Sequence, residues 1–349
     1  MPNSEERPLL TFALFAYNQE RFIADAVRGA LNQTYTPLEI ILSDDCSSDR
    51  TFEIMQELAA GYQGPNRVIV RRNERNLGLI GHINKVMEEI KGELIVAAAG
   101  DDISFPNRVE CICQEYLASN RQAYSIFSNA IWIDENGRKM NLLRTRIIDS
   151  KDLEIESYAS RATPGFINGA THAWRREAFD FFGPLAEGIG AEDTVVPFRS
   201  ALLGKIRYIH EPLVLYRRNA TRLRSGGDGN LSYSKFRNNW FRQKKQHLAI
   251  YQSRLRDIER YSEGKYGRMT DLDGKVKAIT KSRIDELKNL IEISQSNLQE
   301  IVLLLLRQKR INSLFDLLKT IMIAVLFPLI NFFVLLAYFQ YQNLRKKII

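Results

Sequence analysis

One stretch constrains the chain more than any other: Leu94 to Pro106, LIVAAAGDDISFP, an apolar run that stops at Gly100 and two adjacent carboxylates, Asp101 and Asp102. Small and β-branched residues ahead of a glycine predict a buried strand, and strand ends are where α/β proteins place ligands. Two neighbouring acids in a partly desolvated loop repel each other unless a cation sits between them and a polyanion. Paired oxygen donors suit a hard divalent ion, Mg²⁺ or Mn²⁺, carrying a phosphorylated substrate. The plainer reading is an Asp-rich turn capping the next helix, since Ser104, Pro106 and Asn107 are also helix-start residues.

The same pattern precedes it three times. Leu9 to Ala16 is an apolar run ending at Tyr17, Asn18, Gln19 and Glu20, followed by helical spacing over Arg21 to Leu31. Leu38 to Leu42 ends at Ser43, Asp44 and Asp45, followed by a helix from Asp49 to Ala60 behind the Ser48 and Asp49 caps. Arg67 to Arg72 is a third strand, and Gly81 to Ile90 a third helix. Four alternations in about a hundred residues predict a doubly wound, mostly parallel sheet whose polar strand ends converge on one crevice.

Within that crevice, Asp44 is the best candidate to accept hydrogen bonds from a ribose or base, because Ser47, Ser48 and Asp49 already satisfy helix capping. Asn76, Gly78 and Asn84 in NLGLIGHIN form a turn entering a helix, where backbone N–H groups suit phosphate. A second acid site, Glu192 and Asp193 in GIGAEDTVVPFRSALLG, opens a helix expected to run to Leu203, where the dipole favours anions and a carboxylate can act as general base. Simple helix capping also accounts for it. Between these sites the sequence predicts strands in Ala123 to Asp134 and Phe166 to Trp174, a short helix over Arg175 to Phe182, and a returning strand from Ile206 to Tyr216. His82, His172, His210 and His247 fit no metal spacing and are expected to be structural. The chain contains no GxSxG, Walker-type GKS or GKT, or CxxC sequence.

The 349 residues are 45% hydrophobic, enough for one catalytic-sized domain plus an appendage. The net charge of +8 is uneven: Arg217 to Arg256 holds eleven Lys and Arg against the single acid Asp228, a segment that seeks phosphate or anionic lipid unless it is a solvated helix face. Cys46, Cys111 and Cys113 make no disulfide framework, which points to a reducing compartment. The polar start MPNSEERP predicts that the N-terminal domain stays in the cytoplasm. Beyond Arg224, SGGDGN is a joint, and helical sequence follows with a stripe of Ile279, Leu287, Leu290, Ile291, Leu298 and Ile301. Ile321 to Phe339 carries no charge and is long enough to approach the roughly 30 Å hydrocarbon core of a bilayer. With Pro328 inside it, the run suits a spanning or a kinked interfacial helix; a buried soluble helix is the alternative.

In order along Pro8 to Asn219, the runs FAYNQERFIADAVRGALNQTYTPLEIILSDDCSSDRT, NERNLGLIGHIN, AGDDISFPNRVE, NGATHAWRREAF, GAEDTVVPFRSALLG and HEPLVLYRRN resemble the family 2 glycosyltransferases with the GT-A fold. The resemblance implies an α/β GT-A domain over 1–224; beyond it, composition and hydropathy predict a helical extension over 225–310 and a hydrophobic membrane-associating or transmembrane helix over 311–349. The resemblance also implies that Ala16, Tyr17, Glu20, Asp44, Asp45 and Asn76 line the nucleotide. Asp101 and Asp102 would hold Mg²⁺ or Mn²⁺ on the diphosphate, Asp193 with Glu192 would be the catalytic base, and Arg217 and Arg218 would stabilise the leaving group. Trp174 and Arg175 would face the acceptor sugars. Ala99 stands where many members carry a further aspartate, and Ile83 where many carry an arginine, with Lys85 or Arg75 as substitutes. The implied partners are a nucleotide-diphosphate sugar and a glycan or polyprenyl-linked acceptor, with no nucleic acid; the C-terminal pattern adds a membrane surface and a possible second copy through the C-terminal helices. The implied place is the cytoplasmic face of the plasma membrane. A sugar-phosphate nucleotidyltransferase is the alternative enzyme, though FAYNQE is not its Gly-rich basic phosphate loop; a non-catalytic sugar-nucleotide-binding scaffold is the alternative outside enzymes.

Overall fold

In the computed structural model, residues 7–143, 169–217, 233–264 and 271–295 are described. The apolar run at 321–339 and Arg218 lie outside them. Strands β1 (Leu10–Ala16), β2 (Leu38–Asp44), β3 (Arg67–Arg72) and β4 (Leu94–Ala99) alternate with helices α1 (Ile23–Leu31), α2 (Thr51–Ala60) and α3 (Gly78–Met87). The strands lie side by side in the order β3-β2-β1-β4, all parallel. Helices cover both faces of such a sheet, so its central strands are apolar throughout. Phe12, Leu14, Ile40, Leu42, Leu94 and Val96 are accordingly buried in one core with Ile23 and Val27 of α1. Strand β3, at the edge, is half exposed and carries three arginines.

The sheet then changes character. After β5 (Ile103–Ser104) and α4 (Arg108–Ala118) come β6 (Ala123–Ile133), β7 (Lys139–Leu143), β8 (His172–Arg175), α5 (Glu177–Phe182), α6 (Val196–Leu203) and β9 (Lys205–Arg217). Strand β8 pairs antiparallel with β4 on one side and β6 on the other, while β9 runs parallel to β6 and turns back at its end onto β5. Its register slips where Ser128 faces Ile209 but Asn129 faces Pro212. A bulge of this kind bends and twists a strand. It lets the far end of β9 reach β5 and the turn after β4.

Helices α7 (Tyr233–Glu263) and α8 (Asp271–Gln295) follow. The compact unit runs from Met1 to Ile284, past the composition shift at 224, so α7 packs with the sheet. Phe198, Leu202 and Phe182 share a buried cluster with Ile258 of α7 and Val276 of α8, and Ile279 packs against it. The face that α8 buries is Val276, Thr280 and Ile284, four residues apart, of which the apolar stripe read from sequence had only the neighbouring Ile279. Leu298 and Ile301 lie outside the described residues. Among those residues no helix is long and apolar enough to cross a membrane.

Candidate active site

The parallel register aligns the strand ends. Ala16 stands opposite Asp44, Asp44 opposite Arg72, and Phe15 opposite Ala99, so four loops leave from one edge. The loops after β1 and β2 are laced together. Asn18 N–H donates to Ser47 Oγ (2.8 Å), Ser48 N–H to Asn18 Oδ1 (2.8 Å) and Gln19 N–H to Thr51 Oγ1 (2.7 Å). Glu20 N–H donates to Asp49 Oδ2 (3.1 Å), and Glu20 Oε2 accepts from Arg50 N–H (3.1 Å) at the start of α2. Glu20, expected to line the nucleotide, is exposed and spends one carboxylate oxygen on the Arg50 amide ahead of α2.

Asp44 and Asp45 have similar internal duties. Asp44 is fully buried, and its carboxylate accepts from Ser47 N–H (2.9 Å), Ser47 O–H and Arg72 Nε (3.2 Å). Asp45 accepts from Asn73 Nδ2 (2.7 Å) and from Leu77 N–H (2.9 Å). That last amide belongs to the helix entrance expected to meet phosphate; a carboxylate of the chain itself occupies it, and Asn76 Oδ1 accepts Gly78 N–H beside it (3.0 Å). Ala16 is buried, with its carbonyl accepting Asp45 N–H at 2.9 Å. Tyr17, 47% exposed, is the large side chain left open at this edge. Asn84 lies deeper and makes two bonds to Leu185 (Nδ2 to the carbonyl, 2.9 Å; Oδ1 from the N–H, 2.8 Å). Lys85 is paired with Glu88 at 2.6 Å.

At the end of β4, Gly100 N–H donates to Phe15 O (2.9 Å), and a Cβ at 100 would fall 2.4 Å from Gln19 Oε1 and 3.0 Å from Ala16 Cβ. Glycine lets the turn close against the β1 loop without displacing Gln19 or Ala16. Asp101 and Asp102 are each 5% exposed. Asp102 Oδ1 accepts Arg217 N–H (2.8 Å), delivered by the bent end of β9. Arg217 itself is 2% exposed; its guanidinium donates to the carbonyls of Asp101, Asp134 and Glu135 (each 3.0 Å) and lies over the Phe22 ring at 4.6 Å. The sequence placed Arg217 at the leaving group. In the fold it is a buried clamp on the acidic turn, because β9 runs inward to pair with β5. Behind it sits Arg108, fully buried and unforeseen, donating to Ser104 Oγ (2.9 Å) and Ala97 O (2.7 Å). Burial lowers its pKa to about 9, against the opposing attraction of Asp102. Nothing in PNRVE distinguishes this arginine from a surface one.

The second acid pair reaches the same edge through a glycine. Val96 faces Ala173, so the 3₁₀ turn Gly169–Thr171, just ahead of β8, lies beside the C-terminal end of β4. Gly169 N–H donates to Asp193 Oδ2 at 3.3 Å, and a Cβ at 169 would fall 2.2 Å from Glu192 Oε1. Glu192 and Asp193 occupy a second 3₁₀ turn, Glu192–Thr194, rather than the first turn of the expected helix, which starts at Val196. Instead of being favoured as anions by a helix dipole, both are pushed up. Burial, then the Asp193 charge, raises Glu192 to about 7, and burial raises Asp193 to about 6. Among the described residues neither has an ion-pair partner.

The turn is held from outside by α7. Arg254, fully buried over the Phe198 ring (5.1 Å), donates to Thr194 O. Arg199 of α6 pairs with Asp257 (3.0 Å) and donates to Gly183 O (2.7 Å). Trp174 and Arg175, expected at the acceptor, are elsewhere. Trp174 is fully buried and stacked on Phe179 (centroids 6.2 Å, interplanar 26°). Arg175 faces Leu94 at the opposite end of β4 and pairs with Glu177 at 3.0 Å. His172 is likewise structural: burial lowers it to about 3, and its Nε2 shares a 2.8 Å hydrogen bond with Ser125 Oγ.

Asp101 and Asp102 are the acids from which the sequence expects a divalent-cation site. Among the described residues no cluster of three or more His, Cys, Asp or Glu could hold a metal. One Asp102 oxygen already accepts Arg217 N–H, so the pair fits a hard ion that draws most of its ligands from phosphate oxygens and water.

A parallel half-sheet with acid-rich strand ends, continued by mixed strands that bring a second acid pair to the same edge, defines an α/β domain of the GT-A type. Residues 11–182 match the model of glycosyl transferase family 2, and this domain belongs to that family. The uncharacterized glycosyltransferase MJ1057 of Methanocaldococcus jannaschii is 32% identical over 139 residues, 39% of this chain and 47% of the relative. The chain thus spans about half the length of such curated relatives; for EpsE of Bacillus subtilis the share is 46%. The fold is shared with S. aureus TarS residues 1–349 solved in complex with UDP-GlcNAc (TM-score 0.53, 15% identity, 91% of each chain). It is also shared with the mannosyltransferase PcManGT of Pyrobaculum calidifontis in complex with GDP-Man and Mn²⁺ (TM-score 0.51, 15% identity, 93% of this chain and 87% of that one).

Proposed function

We propose that this chain is an inverting glycosyltransferase that moves a sugar from a nucleoside-diphosphate sugar onto a hydroxyl of a glycan acceptor. The observation that carries the reading is the meeting of two acid pairs at one sheet edge: Asp101 and Asp102 after β4, and Glu192 and Asp193 beside the same strand end through the Gly169 to Asp193 hydrogen bond. Asp193 is the base. A carboxylate raised to about 6 holds a proton more tightly than an exposed one, yet is largely ionised above neutrality, which suits removal of a hydroxyl proton. As the acceptor oxygen attacks the anomeric carbon, that proton passes to Asp193, the bond to the diphosphate breaks, and one displacement inverts the configuration. Tyr17 offers an open ring for the nucleotide at the far end of the edge. Asp101 and Asp102 would hold Mg²⁺ or Mn²⁺, which offsets charge growing on the leaving diphosphate. The donor complexes of TarS and PcManGT, the latter with Mn²⁺, support this choice of donor and cation.

The acceptor we infer is a lipid-linked glycan of cell-surface polysaccharide assembly, met at the cytoplasmic face of the plasma membrane. The uncharged run at 321–339 supports it. A screen of nucleotide sugars for binding and for hydrolysis, with and without Mn²⁺ and Mg²⁺, tests the proposal. One donor should be bound and slowly hydrolysed, more so with a cation; no response to any of them would remove the donor assignment.

A further inference from the structure

Two cavities outside the acid-lined edge are each bordered by more than one basic side chain, and they differ in one respect. The first, about 500 Å³, lies at the opposite end of the sheet and includes Arg7, Arg121, Arg175 and Arg176. Its arginines are each neutralised, Arg7 by Glu110 (2.5 Å), Arg121 by Glu93 (3.0 Å), Arg175 by Glu177 (3.0 Å) and Arg176 by Asp180 (3.3 Å), and Glu93, Glu177 and Asp180 border the cavity beside its remaining cation, Lys91. The second, about 590 Å³, is bordered by Gly188, Asn238, Phe241, Arg242, Lys245 and Gln246, with no acid among them. Among the described residues neither Arg242 nor Lys245 has a carboxylate partner; Arg242 donates only to Asn239 Oδ1 (3.2 Å). Two exposed cations converging without counter-charge on a concave surface form a site for an anion.

Its position ties it to the acid pair. Gly188 and Gly190 belong to the loop that delivers Glu192 and Asp193, and a Cβ at 190 would sit 3.1 Å from Gln246 Nε2. Two turns further along α7, about 12 Å, Arg254 grips Thr194 O directly behind the pair. One helix therefore both positions the base and presents the uncompensated charge. The half-buried Phe241 and the amides of Asn238 and Gln246 complete a border suited to a sugar bearing a phosphate.

We propose that this cavity is an acceptor subsite for a phosphate group on the incoming glycan, a reading that rests on the transferase assignment above. The probe is inorganic diphosphate, titrated calorimetrically into the full chain already saturated with UDP or GDP, whichever binds. The wild type should bind it, and Arg242→Glu with Lys245→Glu should weaken it by about tenfold or more, with the milder Arg242→Gln and Lys245→Gln pair changing it in the same direction. Arg121→Glu, in the neutralised cavity, should leave it unchanged, as should every variant the nucleotide affinity. Equal diphosphate affinity in the doubly reversed variant overturns the subsite. Flotation with phosphatidylglycerol and phosphatidylcholine vesicles separates the other source of phosphate: loss of phosphatidylglycerol binding with diphosphate affinity intact assigns these charges to a lipid surface and overturns the proposal. Failure to bind either nucleotide would instead strike the donor reading on which it rests.

Discussion

The two halves of the acid-lined edge treat their carboxylates in opposite ways. On the β1 to β4 side, Asp44, Asp45 and Asp102 accept hydrogen bonds from Ser47, Asn73, Leu77 and Arg217, and their charge is absorbed in shaping loops. On the β8 to α6 side, Glu192 is buried and Asp193 partly exposed, neither has an ion-pair partner among the described residues, and desolvation drives both toward protonation. A well-bonded acid is a positioned one, whereas a poorly compensated buried acid is one whose proton can move. The first half thus builds a rigid receptacle, and the second holds the chemistry.

The sharpest way to break this contrast is Asp193→Asn. Transfer should fall by about 10² to 10⁴-fold while nucleotide affinity, measured by calorimetry, stays within a few-fold; unchanged turnover would remove the base from this half. Arg217→Ala should act on the other half through stability, losing bonds to three carbonyls and costing on the order of 3 kcal/mol, read as a lowered denaturation midpoint. A smaller loss of stability with a large loss of turnover would instead restore Arg217 to the leaving group.

In the second half, activity and stability should depend on pH with opposite sign. Activity needs Asp193 ionised, so kcat/KM should fall about tenfold per pH unit below about 6. Stability should run the other way. Groups raised in the folded state contribute stability that is complete below their unfolded values near 4 and is lost as pH rises through about 6 to 7. The thermal midpoint should therefore decline across that interval in the wild type, and less so in Asp193→Asn. The smallest effect belongs to Glu20→Ala, which removes the exposed acceptor of the Arg50 amide ahead of α2 and should cost about 0.5 to 1 kcal/mol with donor affinity within twofold. A tenfold loss of donor affinity would show that Glu20 touches the nucleotide as well.

Much of the first half was legible because local pattern governs it. Apolar runs ending in polar clusters at regular spacing identify β1 to β4 and place their ends together, whatever the rest of the chain does. The second half was less legible because its residues act through partners distant in sequence. A tryptophan and an arginine in NGATHAWRR look alike whether they face a sugar or a core, and only the pairing of β8 between β4 and β6 sends Trp174 inward and Arg175 to the wrong end of the sheet.

The sequence alone determined the doubly wound sheet, the two acid pairs and the basic segment, since periodicity and residue chemistry are local properties. Only the tertiary structure decided what each charge does. The bulge in β9 turns Arg217 into a clamp on Asp102, Gly169 admits Glu192 to the end of β4, and α7 braces the second acid pair while leaving Arg242 and Lys245 without a carboxylate partner among the described residues. A charge is assigned its task by desolvation and by its neighbours, and both are properties of the folded chain.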